Sequence, residues 1–142
     1  DPDARVRFEC ALALGSLDDP GVVPILARIA IRDGEDRWAR AAVLSGIGTR
    51  LTAFFDATER SRRDNPAGYA ALVEELGRLF GAGAPAETCR RFLAQMISSD
   101  GDLAWTLPAV LGLAEGLNGR TDFSDRAPPP PPRAKPVRCN AR

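Results

Sequence analysis

At 142 residues the chain is long enough for about one domain, and its hydrophobic content of 44% is ordinary while aromatics are sparse at 6%. Nineteen basic and nineteen acidic side chains cancel, and residues 1–120 carry 14 of the first against 17 of the second, a net of −3. The clustered basic excess of a nucleic-acid-binding surface is therefore missing there. There is no His, and Cys10, Cys89 and Cys139 stand apart with no CxxC spacing, which excludes Cys/His zinc sites, Ser-His-Asp and Cys-His catalysis and a CxxCH haem attachment within these residues.

Residues 4–17 place Val6, Cys10, Ala13, Leu14 and Leu17 in the i, i+4, i+7 rhythm of an amphipathic helix. Those side chains are expected to face inward, with Cys10 acting as a small buried hydrophobe, and Asp3 is placed as the N-cap. Asp18-Asp19-Pro20-Gly21 makes a turn. A second helix over 22–32 turns Val23, Leu26, Ile29 and Ala30 inward, with Pro24 tolerated in its first turn. The third helix covers 37–49. The fourth covers 51–62, with Leu51, Phe54, Phe55 and Thr58 on one side.

Tyr69, Leu72, Val73, Leu76, Leu79 and Phe80 define the stripe of a fifth helix, which Gly81-Ala82-Gly83-Ala84-Pro85 ends. Residues 85–98 follow with Cys89, Phe92, Leu93, Met96 and Ile97 inward. A seventh helix over 103–117 presents Leu107, Val110, Leu111, Ala114 and Leu117, with Pro108 in its first turns where a proline can kink it. No segment has the period-2 pattern of a strand, and no run approaches the ~20 apolar residues that span a bilayer. The expectation is an all-α chain of about seven helices.

From Thr121 the composition changes. Pro128 to Pro132 form an unbroken proline run, and residues 121–142 hold five basic and two acidic side chains, a net of +3. Such a run favours extended polyproline II. We read 1–120 as the helical domain and 121–142 as a Pro-rich linker or disordered tail; Pro128 to Arg133 also fits the PxxPx-basic pattern of a proline-rich ligand.

The opening phrase Asp1-Pro2-Asp3-Ala4-Arg5-Val6-Arg7, followed by Ala11 and Leu14-Gly15, returns 33 residues later as Asp36-Arg37-Trp38-Ala39-Arg40, then Val43, Ile47 and Gly48. The offset pairs Asp3 with Asp36, Arg7 with Arg40, Leu14 with Ile47 and Gly15 with Gly48. Self-similarity at this period signals stacked helical hairpins. The phrase resembles the HEAT repeat. The resemblance implies a right-handed α-solenoid in which 4–17 is the second helix of a hairpin cut at its N-terminal side, followed by hairpins at 21–49, 51–82 and 85–118. It also implies that Asp3, Arg7, Asp36 and Arg40 form a structural hydrogen-bonded ladder between repeats.

More narrowly, Arg5-Val6-Arg7-Phe8, Asp36-Arg37-Trp38-Ala39-Arg40-Ala41 and Leu111-Gly112-Leu113-Ala114-Glu115 resemble HEAT segments of large bacterial proteins. Those proteins join a dehydrogenase-like β-propeller, a HEAT array and a C-terminal c-type cytochrome domain, and are usually exported. The resemblance thus implies a fragment of a larger periplasmic or extracytoplasmic protein, with haem c carried elsewhere in the parent and no cofactor in these residues.

The functional expectation is a non-catalytic scaffold that binds a protein partner or neighbouring domains of its own chain, with no catalytic, metal or cofactor residue, no nucleic acid and no membrane span. Arg37 and Trp38 are the candidate interface anchor, a pairing that suits contact sites, and Trp105 is placed similarly. The rivals are a HEAT-like enzyme of the DNA glycosylase kind, with Asp100 and Asp102 beside Trp105, and a stand-alone interaction module. An unpaired first helix implies marginal stability and self-association through that end. If these inward faces are right, Leu14→Ala costs more stability than Arg40→Ala in a denaturant titration, because it opens a cavity; an equal or reversed order means a different face of the first helix packs.

Overall fold

Helix starts are written into the sequence as side-chain oxygens that accept the free amides of a first turn. The computed structural model describes residues 1–98 and 102–124, with side chains up to 120. In them the chain forms α1 (Ala4–Gly15), α2 (Val23–Arg32), α3 (Arg37–Ser45), α4 (Leu51–Glu59), α5 (Pro66–Gly83), α6 (Ala86–Ser98) and α7 (Leu103–Ser124). Among the described residues there is no strand, so the chain is all-helical with seven helices. Asp3 accepts from the Arg5 amide and Asp36 from the Trp38 amide, both at 2.8 Å. Asp102 accepts from the Ala104 amide at 2.9 Å, and Asn65 from that of Gly68 at 3.1 Å. Every second helix, α1, α3, α5 and α7, thus opens on an Asp or Asn. In contrast, α2 and α4 follow three-residue 3-10 turns at Pro20–Val22 and Gly48–Arg50 and have no side-chain cap.

Two helix ends differ from the expected ones, at a glycine and beyond a proline. Helix α3 stops at Ser45 rather than 49, because Gly46 ends it and Gly48 takes a positive φ of 50°. Helix α7 passes through Pro108 and continues to Ser124, beyond the expected end at 117. The proline run lies outside the described residues.

Alternate helices pack on one another: α1 on α3, α2 on α4 and, most extensively, α5 on α7. The core runs unbroken from Ala11 to Leu113. Its middle is the aromatic trio Phe55, Phe80 and Phe92 of α4, α5 and α6, whose ring centroids lie 4.7–5.9 Å apart. On α2, α4 and α5 the inward stripes follow the expected periodicity, apart from Leu79, which is exposed; on α6, Cys89, Phe92 and Met96 are buried and Ile97 is exposed.

The two end helices differ from expectation. On α1 the buried residues are Arg7 and Ala11, with Phe8 and Leu14 half-buried, while Val6, Cys10, Ala13 and Leu17 face solvent. On α7 the buried residues are Trp105, Ala109, Gly112, Leu113 and Gly116, while Leu107, Val110, Leu111, Ala114 and Leu117 are exposed. The reason is how closely the backbones approach. A Cβ on Gly15 would sit 2.8 Å from the Gly46 Cα. Between α5 and α7 the contact is tighter: a Cβ on Gly77, Gly81, Gly112 or Gly116 would run into the carbonyl oxygen of Ala109, Leu113, Glu74 or Arg78 respectively. Only a face of Gly and Ala admits that approach, so the small residues turn inward and the leucines outward.

With Leu14 only half-buried and Arg40 largely enclosed against Glu75 of α5, Arg40→Ala is expected to cost at least as much as Leu14→Ala in the same titration. For the glycines, Gly112→Ala is expected to destabilise by roughly 1–3 kcal/mol through overpacking. Gly119→Ala, in the same helix with nothing within 4 Å of the added methyl, should instead gain about 0.5–1 kcal/mol. Urea midpoints of the two variants check both signs.

Candidate functional site

The repeated arginines are largely enclosed, their side chains 10% and 12% exposed. Arg7 donates through Nε and Nη2 to the two carboxylate oxygens of Asp33, each at 2.6 Å, and through Nη1 to the Asp1 carbonyl at 2.7 Å. Hydrogen bonding to Asp33 raises the guanidinium's pKa further above its ordinary value, against a smaller opposing effect of burial. Arg40 donates through Nε to Glu75 at 2.8 Å and through Nη1 to the Gly34 carbonyl at 2.6 Å. Each arginine thus reaches back six residues to a carbonyl and outward to a carboxylate on another segment, so the 33-residue repeat extends to individual hydrogen bonds.

Asp3 and Asp36 do not join this ladder. Their oxygens accept the helix-start amides, and Asp33 and Glu75 supply the acidic partners instead. Glu75 lies on α5, so its ion pair with Arg40 joins α5 to α3.

Two arginines that sequence reasoning passed over gather carbonyls at helix C-termini, where four are left without an intrahelical partner. Arg50 donates through Nη2 to Gly15 at 3.2 Å and Gly46 at 2.5 Å, and through Nη1 to Leu17 at 2.9 Å, joining the ends of α1 and α3. Arg120 donates to the carbonyls of Ala82 at 2.9 Å and Ala84 at 2.5 Å at the end of α5. No local pattern marks either residue, because the carbonyls they reach lie 31 or more residues away except at Gly46 and Ile47.

The two tryptophans, expected to be alike, occupy opposite environments. Trp105 is 7% exposed and meets Tyr69 edge-on at 5.4 Å, and the Arg62 guanidinium lies 5.5 Å from its ring centroid. The Tyr69 hydroxyl donates to Glu59, which also accepts from Arg62 at 3.3 Å. Trp105 is therefore core between α5 and α7, because α7 turns it inward with Ala109 and Gly112; it is not a surface anchor. Trp38 is 63% exposed at the start of α3, with the Arg37 guanidinium 4.6 Å over its ring. Such an exposed cation–π contact contributes roughly 0.5–1 kcal/mol and holds the indole in place without covering it.

Shallow grooves lie between the helices, one of about 840 Å³ lined by Arg78, Ala82, Glu115 and Arg120. A groove of about 390 Å³ beside α1 and α2 is lined by Cys10, Leu14 and Ile25 with Arg28 and Arg32 on its rim. Another of about 590 Å³, where the α3–α4 turn faces the α5–α6 turn, has Ile47, Leu51, Leu79 and Phe80 in its lining and no titratable side chain. Among the described residues no group of three or more His, Cys, Asp or Glu could hold a metal, and no helix is long and apolar enough to cross a membrane. Asp102 is occupied in capping α7, and Asp100 lies outside the described residues.

Compared with protein-family models, curated proteins and solved structures, the chain gave no match.

The contrast between the tryptophans has a direct test. Trp38→Ala is expected to leave stability within about 0.5 kcal/mol, whereas Trp105→Ala removes a buried ring and should cost about 3–5 kcal/mol. In the intact chain, Trp38 emission should be red-shifted and quenched by acrylamide while Trp105 is protected; equal quenching of both would contradict the placement.

Proposed function

We propose that the chain is a segment of a HEAT-like right-handed α-solenoid that acts as a protein-binding scaffold, with Arg37 and Trp38 at the contact and no chemistry of its own. The observation that carries this reading is the exposed, pre-oriented indole at the start of α3, on a framework whose other strongly ordered polar groups hold helices together. Rigid aromatic and Arg pairs are the residue types that dominate binding energy at interfaces. Support for the solenoid comes from the 33-residue repetition of the Arg-to-carbonyl contact and from the stacking of alternate helices.

The partner is a protein segment, either a neighbouring domain of the same polypeptide or a separate chain. On the narrower resemblance, the parent is an exported dehydrogenase-like c-type cytochrome protein in which this array spaces the propeller from the haem domain. A photo-crosslinking residue at position 38 of the full-length gene product is expected to join a defined peptide, while the same residue at position 91, exposed on α6, does not. Crosslinking at 38 no greater than at 91 would sink the contact. Sequencing the flanking DNA separates the parents: propeller-like strands upstream and a CxxCH downstream fit the redox protein, and a start codon just upstream with a stop after Arg142 leaves a stand-alone module.

A further inference from the structure

Among the described residues, the outward face of α7 is a row of exposed apolar side chains. Leu103 is 65% exposed, Leu107 56%, Val110 41%, Leu111 60% and Leu117 41%, and Ala114 completes the row. Leu103, Leu107, Val110, Ala114 and Leu117 follow one another at spacings of four and three residues, the a/d seam of a helix that packs against another helix. This seam lies on the side of α7 away from Ala109, Gly112 and Gly116, which are spent against α5. The occupant is therefore a helix, met across a face that no element of this chain's described residues covers.

We infer that the occupant is the same helix of a second copy of this chain, related by a two-fold axis near Val110. Charge is the first reason. A self-pairing face sets each charge against its own sign, and this one has none: between Leu103 and Gly119 the single charged residue is Glu115, which turns back to Arg78 of α5 at 2.7 Å. Shape is the second. Antiparallel pairing about Val110 brings Leu103 opposite Leu117 of the second copy and sets the large Leu107 against the small Ala114, and it opposes the helix dipoles. Area is the third. The exposed fractions amount to a patch on the order of 500 Å² per copy, so two copies together reach about the 1,000 Å² that a specific interface requires. The outward seam of α1, made of Val6, Cys10, Ala13 and Leu17, is shorter and has Arg5 and Glu9 beside it, which suits self-pairing less well.

The inference stands apart from the scaffold reading, because α7 and Trp38 are on different helices and the pairing needs no partner protein. Sedimentation velocity of the 142-residue chain at ~50 μM is expected to give twice its 15.2 kDa mass. Leu107→Glu or Leu111→Glu, each at a residue more than half exposed, should return the monomer mass with an unchanged helical circular dichroism signal. Val6→Glu should leave the dimer intact. Mixing a Leu107→Glu, Ala114→Glu chain with a Leu107→Lys, Ala114→Lys chain should restore the dimer mass, which a folding defect could not do. A monomeric parent chain at that concentration overturns the inference. So does growth beyond a dimer that Val6→Glu abolishes, which would mean head-to-tail stacking of α7 on α1.

Discussion

The close approach of alternate helices at glycine is the constraint on which the rest of this fold depends. Gly15 meets Gly46 where α1 crosses α3, Gly34 meets Gly68 at the start of α5, and Gly77, Gly81, Gly112 and Gly116 line the contact of α5 with α7. At these points backbone touches backbone. A methyl group at any of the α5–α7 positions collides with a carbonyl that cannot rotate away, so the residue type sets the spacing of the array. That spacing in turn puts Arg7 within reach of Asp33, Arg40 within reach of Glu75, and Trp105 against Tyr69.

Arginine does the complementary work at the helix ends. Arg7 and Arg40 hold the turns that precede α1 and α3, and Arg50 and Arg120 collect the terminal carbonyls of α1, α3 and α5. A planar guanidinium with five donors can bridge a carboxylate and a carbonyl together, which an ammonium on a flexible stem does less well. The strongly Arg-biased composition therefore has a structural use here, and it leaves few ordered charges for a partner. Arg37 over Trp38 is the conspicuous outward-facing arrangement, and for that reason the proposed contact is placed there.

The same spacing rule decides which surfaces remain open. Small residues must face the neighbouring helix, so the leucines of α7 and the Val6–Leu17 row of α1 are turned outward at the two ends of the stack. The seam of α7 carries no charge between Leu103 and Ala114, and Trp38 stays exposed on α3.

By itself the sequence determined the local structure. Apolar periodicity, Asp3, Asp36 and the turn glycines and prolines specify seven helices and most of their starts, because capping and helical rhythm are decided within a few residues. The inward stripes of α2, α4 and α5 were legible for the same reason, each of these helices having one dominant apolar face. Helices α1 and α7 carry two usable faces, one rich in Leu and Val and one in Gly and Ala, and periodicity alone favours the more hydrophobic. Only the tertiary structure decided between them, since the choice depends on how near the next backbone comes. It likewise separated Trp105 from Trp38 and gave Arg7 and Arg40 their carboxylates, because those partners lie 26 and 35 residues away in the chain and are brought close only by stacking.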